Sequence, residues 1–268
     1  MAALTASPAL MQVCVLPENH RGSIMFRQLC SFGAVLLLST ACTEATAPAP
    51  PDLTGLWTLQ PDGRAGAALN GPGDFEKTAP YTPLAREKLA EYHSLVDATG
   101  DTPGAHCVPL GMPAALFLGG GYPVEFIQRP EQLTIIFETH NEVRRVFLDN
   151  RRIEEEEILP SRGGVSWGHW EGNTLVVETK GLKESIDQAT AHSENARIIE
   201  RYTPVTEGGL KRLNLELTIE DPEFYTEPPK LTRQYTQLQE GRMLDYDCTE
   251  PDWDEYLDTL RQQKADKK

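Results

Sequence analysis

The chain has 268 residues, with 25 Lys and Arg against 40 Asp and Glu, for a net charge of −15. So acidic a balance repels phosphate backbones and anionic lipid headgroups, which argues against nucleic acid and charged membrane surfaces as partners. Residues 1–42 carry Arg21, Arg27 and Glu18, a net +1, so the remainder carries −16.

The first organised feature is Leu29 to Ala41, an uncharged and largely apolar run of 13 residues preceded by Arg27. A transmembrane helix needs roughly 20 apolar residues, whereas the core of a signal peptide has about 7 to 15. The run therefore reads as a signal peptide over residues 25–42, with Met25 as an alternative start and residues 1–24 as a non-native extension. Its end, Leu38-Ser39-Thr40-Ala41-Cys42, resembles the lipobox of bacterial lipoproteins, in which the cysteine is lipidated and becomes the mature N-terminus. Ser39 stands where such boxes usually carry Leu. An ordinary signal peptide that happens to contain a cysteine is the alternative. Residues 43–51 (TEATAPAPP) form no core and suit an extended tether. Thr43 follows Cys42 in place of the Asp that resembles an inner-membrane retention signal. The expected location is therefore the periplasm, with a lipid anchor in the outer membrane.

Residues 52–268 are within the size of one all-β domain. Thr82-Pro83 offers an N-cap and first-turn proline, with Ala85, Leu89, Tyr92 and Val96 at helical spacing behind it. Strand patterns follow at Tyr122–Arg129, Gln132–His140, Glu142–Asp149, Val165–Glu171, Thr174–Lys180, Arg197–Val205, Leu210–Asp221, Leu231–Gln237 and Met243–Cys248. Turn formers separate them, including Gly172-Asn173 and Gly208-Gly209. Alternation is clearest where Leu213, Leu215, Leu217 and Ile219 share a face. Asp252 and Glu255 form a capping-box pair opening a C-terminal helix with Trp253, Tyr256, Leu257 and Leu260 on one face. The expected fold is all-β: an antiparallel up-and-down barrel of about 8 to 10 strands, with one short helix before it and one after, because closure removes sticky edges. A two-sheet sandwich is the alternative.

Three of the five cysteines fall in the targeting region, leaving Cys107 and Cys248 in the domain. Outside the cytoplasm two thiols in one domain most simply form a disulfide; two separate buried thiols are the alternative.

The opening Asp52-Leu53-Thr54-Gly55-Leu56-Trp57 resembles the Gly-x-Trp strand of lipocalin-like (calycin) barrels. A broader set of segments covers most of residues 52–250: DLTGLW, PYTPLA, HCVPLGMP, YPVEFIQ, VRRVFLDN, GHWEGNTLVVET, HSENARIIERY, DPEFYTEPPKLTRQY and LDYDC. Together they resemble a large family of secreted, β-rich bacterial proteins with no assigned activity. That resemblance implies export and a β-rich fold. The chain departs from the family at Val165, usually His, and at Asn173, usually Asp, so chemistry resting on that histidine is not available to it.

Gly164-Val165-Ser166-Trp167-Gly168 fits the G-x-S-x-G pattern of serine hydrolases, with Asp187 and His192 downstream. A nucleophile elbow needs strand, strained turn and helix, yet here the sequence continues as strand, turn and strand. A stronger polar constellation is His192 with Glu194 and Glu200, the candidate catalytic groups, since a rim imidazole suits acid–base work near neutral pH. If Glu200 faces inward it must pair, and Arg144, Arg145 or Arg233 could supply the partner. The same groups would serve equally as ion pairs fixing strand register. Trp167, His169, Arg145, Arg197, Arg233 and Tyr246 are the candidate ligand-binding residues, although aromatics of this kind also serve as simple core. The histidines show no metal-ligand spacing, and no nucleotide-binding glycine motif follows a strand, so neither metal nor cofactor is expected. Three readings follow. The first is a lipocalin-like protein binding a small, largely apolar molecule. The second is an acid–base enzyme (lyase, isomerase or hydrolase) with its site inside the barrel. The third is a structural envelope protein without a ligand.

Overall fold

Alternating side chains along a strand fall on opposite faces, and the pattern of Leu210–Glu220 is realised as a strand whose Leu213, Leu215, Leu217 and Ile219 are all buried. The structure, a computed structural model, describes residues 49–59, 72–96, 103–118, 122–149, 153–187, 190–248 and 266. The leader, Cys42, most of the tether and the helix expected from Asp252 lie outside the described residues.

Nine strands follow in chain order: β1 Gly55–Leu59, β2 Val124–Gln128, β3 Gln132–Phe137, β4 Glu142–Phe147, β5 Val165–Glu171, β6 Thr174–Lys180, β7 Arg197–Glu207, β8 Leu210–Glu220 and β9 Lys230–Gln237. Each pairs with its neighbours in sequence, and β1 pairs with β9 to close a barrel. The Gly-x-Trp segment is β1, whose Trp57 is buried against Phe126 and donates its indole N–H to Leu53 O at 2.9 Å. The turns at Gly172 and at Gly208-Gly209 take positive φ, as two-residue hairpin loops require. The segment Met243–Cys248, expected as a strand, is not one. Because β1 already occupies the edge of β9, the chain after β9 has no sheet edge to join. It returns as an extended strap, with Leu244 N–H on Glu138 and Tyr246 bonded to Asn141, ending in the Cys107–Cys248 disulfide.

A closed ring of nine strands cannot alternate direction throughout. Eight neighbour pairs are antiparallel and the ninth, β4–β5, is parallel. A parallel pair needs a long crossover, and residues 148–164 supply it. The seam has two register pairs, Val146↔Ser166 and Phe147↔Trp167, fewer than any other strand pair.

The helix read from Thr82-Pro83 is present as Pro83–Val96, after a shorter helix at Pro72–Thr78. Thr82 Oγ1 accepts from Ala85 N–H at 3.2 Å, and Ala85 and Leu89 join the core. By register, the long connections gather at the barrel end where β4 and β7 begin. There residues 111–117 form a buried plug, with Leu116 O accepting from Tyr235 Oη at 2.8 Å.

Among the described residues the interior is closely packed: Phe126, Leu133, Ile135, Leu175, Ile198 and Tyr202 are at most 1% exposed. Among them lies an ion pair: Arg144 on β4 grips Glu200 on β7 through both terminal guanidinium nitrogens, Nη1 at 2.8 Å and Nη2 at 2.6 Å. Its Nε and Nη2 also reach Ser166 on β5 at 3.1 and 3.0 Å, and Nη2 reaches Thr179 on β6 at 2.8 Å. Tyr202 donates to the same carboxylate at 2.6 Å. Burial alone would lower the Arg144 pKa, but the charge and hydrogen bonds of Glu200 outweigh it and hold the guanidinium protonated.

Removing one member of a buried pair strands the other charge. Arg144→Met and Glu200→Leu should each cost about 3–5 kcal/mol in urea unfolding. The double variant should cost less than the sum by roughly 2 kcal/mol. Strictly additive costs would refute the pair as the interior's organising contact.

Candidate functional site

Because β4 and β5 pair only at residues 146–147 and 166–167, the residues before them splay apart and open a cleft in the barrel wall. Its volume is about 480 Å³, within the range of small-molecule sites. Met112, Phe137, Val143, Phe147, Ile153 and Val165 make its apolar walls, and Glu142, Arg145, Ser161 and Arg162 are its polar edge. Both faces of β4 contribute: Glu142 and Arg144 from the side that also carries the buried Val146, and Val143, Arg145 and Phe147 from the outward side. Val143 is 46% exposed and Ile153 40%, so part of the apolar wall faces solvent.

The charged groups around the cleft are differently committed. Arg162 pairs with Asp187, whose carboxylate also accepts from Ser185 Oγ at 2.8 Å. Burial pushes the Asp187 pKa up, but Arg162 and Ser185 outweigh it and hold the carboxyl below its ordinary value. Glu142 accepts from Gly111 N–H at 2.9 Å through one oxygen, and the other is buried with no partner among the described residues. Burial raises its pKa, against smaller opposing contributions from Gly111, Leu110, Arg144 and Arg162.

The sequence-derived candidates are not brought together. His192 is buried, with Nε2 at 3.0 Å from Met112 O and Nδ1 at 3.1 Å from Ser193 O. Both ring nitrogens thus face backbone carbonyls, and the histidine clamps the plug. Glu194 is exposed on the loop, and Glu200 is the interior partner of Arg144. No hydrogen bond joins the three among the described residues. Ser166 of the G-x-S-x-G segment lies in mid-strand, bonded to Arg144 and to Thr179 at 2.9 Å. Trp167 and His169 lie on the outer face of β5, Trp167 buried and His169 exposed beside Glu171. Arg197 bonds Glu178 at 2.7 Å and Glu220 at 2.8 Å across neighbouring strands. Arg233 lies over the Phe117 ring of the plug at 5.0 Å. Tyr246 belongs to the strap, edge-on to Tyr122 at 5.8 Å. Of the proposed binding residues, only Arg145 lines the cleft.

Glu142, Val143, Phe147, Ile153, Arg162 and Gly163 were not singled out by sequence. The available signal was the length of the 148–164 connection, too long for a hairpin and long enough for a crossover. Among the described residues no group of three His, Cys, Asp or Glu is arranged to hold a metal. Comparison with protein-family models, curated proteins and solved structures finds no match to this chain.

Burial outweighs the carbonyl contacts of His192 and the charges of Asp221 and Asp187, and depresses its pKa. The folded protein therefore takes up this proton at a lower pH than the unfolded chain, whose histidine protonates below about pH 6.5. The stability this residue contributes is complete above that pH and declines as pH falls. The urea midpoint should drop between pH 7.5 and 5.5, and His192→Asn should flatten that slope. A residual slope is expected from His140, whose pKa burial also lowers. Parallel pH profiles for the two proteins would contradict the assignment.

Proposed function

We propose that this protein is an exported, lipid-anchored barrel that binds a small, largely apolar molecule in the cleft beside β4 and β5 rather than in the barrel lumen. The carrying observation is the 480 Å³ cleft with apolar walls, set against the close packing of Phe126, Leu133, Ile135 and Tyr202 inside the barrel. Export is supported by the apolar run before Cys42, by the resemblance to a secreted family, and by the Cys107–Cys248 bridge, a bond that persists in oxidising compartments.

Gly163 provides a clean test, because a Cβ built there meets nothing within 4 Å. Its neighbour Gly164 is unsuitable, with φ +62 and Lys180 O only 2.6 Å from such a Cβ. Gly163→Trp should fill the cleft, abolish binding of apolar molecules that co-purify with the wild type in native mass spectrometry, and change stability by no more than about 0.5 kcal/mol. Unchanged ligand occupancy in that variant would refute the cleft as the site. For the anchor, Cys42→Ala should move the protein from the membrane fraction to the soluble periplasmic fraction. Continued membrane association of that variant would refute lipidation there.

A further inference from the structure

The cleft carries one full charge for which the protein has no internal use. Arg144 is committed to Glu200, Ser166 and Thr179, and Arg162 to Asp187. Glu142 is tied to the plug through Gly111, and its second oxygen is closed off from solvent. Arg145 is different. It projects from the outer face of β4 between Val143 and Phe147, is exposed, lines the cleft, and makes no hydrogen bond or ion pair among the described residues. Its cross-strand neighbour on β3 is Thr134, not an acid.

An apolar slot with one guanidinium at its edge is complementary to an amphipathic anion. The apolar body takes the walls, and the planar fork matches the two oxygens of a carboxylate. A dianionic phosphate would call for more donors than one fork supplies. A chain of net charge −15 attracts no anion at long range, so recognition of one has to come from a local cation such as this.

Resting on the cleft reading above, we infer that the molecule bound is a small monocarboxylate with an apolar body, its carboxylate received by Arg145. The test compares decanoate, decanol and decylamine, below their aggregation concentrations, by calorimetric titration of the full chain. Decanoate should bind roughly tenfold more tightly than decanol, the difference expected of a charge-assisted hydrogen bond. Arg145→Gln should bring decanoate down to the level of decanol and leave decanol unchanged. Arg145 is exposed, so that variant should unfold with the wild type. Equal binding of decanoate and decanol, both lost in Gly163→Trp, would overturn the carboxylate inference and leave the cleft standing. Decylamine binding tightest would overturn the assignment of a cation as the recognising group. No binding of any of the three, or binding untouched by Gly163→Trp, would overturn the cleft reading as well.

Discussion

Where β4 and β5 run parallel they share only two register pairs, and the side chain of Arg144 crosses that seam to bond Ser166, Thr179 and Glu200 on the next three strands. The backbone ladder is shortest where this side-chain ladder is densest. Burying a guanidinium and a carboxylate costs several kcal/mol of solvation for each ion, and the cost is recovered only when geometry is good and the remaining donors and acceptors are met. Here the geometry is good: two parallel guanidinium–carboxylate bonds, the Ser166 and Thr179 hydroxyls at Nε and Nη2, and Tyr202 on the carboxylate. The pair also specifies register, since a slip of one residue would turn Arg144 outward and bring Arg145 in.

The seam itself follows from counting. An odd ring of sequential strands must contain a parallel pair, a parallel pair needs a crossover, and strands joined by a crossover need not stay paired to their ends. The cleft is what remains where they part. The other end of the same logic is the plug: with long connections gathered at one mouth, residues 111–117 close it, held by Glu142, His192, Arg233 and Tyr235. Polar residues with catalytic chemistry are thus largely occupied in fastening loops to the barrel.

This accounts for what was legible in the sequence. Period-two alternation located eight of the strands, and the Gly-x-Trp segment supplied the ninth, because a half-buried strand writes its two faces into its residues. The need for Glu200 to pair was also legible. Its partner was not, since Arg144 and Arg145 differ only in parity, and parity is set by register with strands distant in sequence. The alternation of Met243–Cys248 suggested a strand, but whether a segment pairs depends on which edge is free, and β1 had taken it. His192 looked like a general base for the reason it is a good clamp: a ring with two polar nitrogens on a loop beside a buried end. Nothing local distinguishes those roles. The cleft residues carry no local signal, because Val143, Phe147 and Ile153 become a surface only when the crossover returns beside β4.

A barrel of this size could have kept space for a ligand by trimming its interior, but each large side chain reduced to Ala in a packed core costs about 2–5 kcal/mol. With Phe126, Tyr202 and the surrounding aliphatics fully buried, clearing a lumen of comparable volume would consume much of a typical domain's stability of about 5–15 kcal/mol. A gap in the wall avoids that conflict. It uses surface that the parallel seam leaves uncovered in any case, and Val143 and Ile153 lose nothing in the core by remaining exposed there. Filling such a gap also adds apolar contact on both sides of the weakest ladder. A bound molecule should therefore act on the seam in the same direction as Arg144, one fastening it from outside and the other from within.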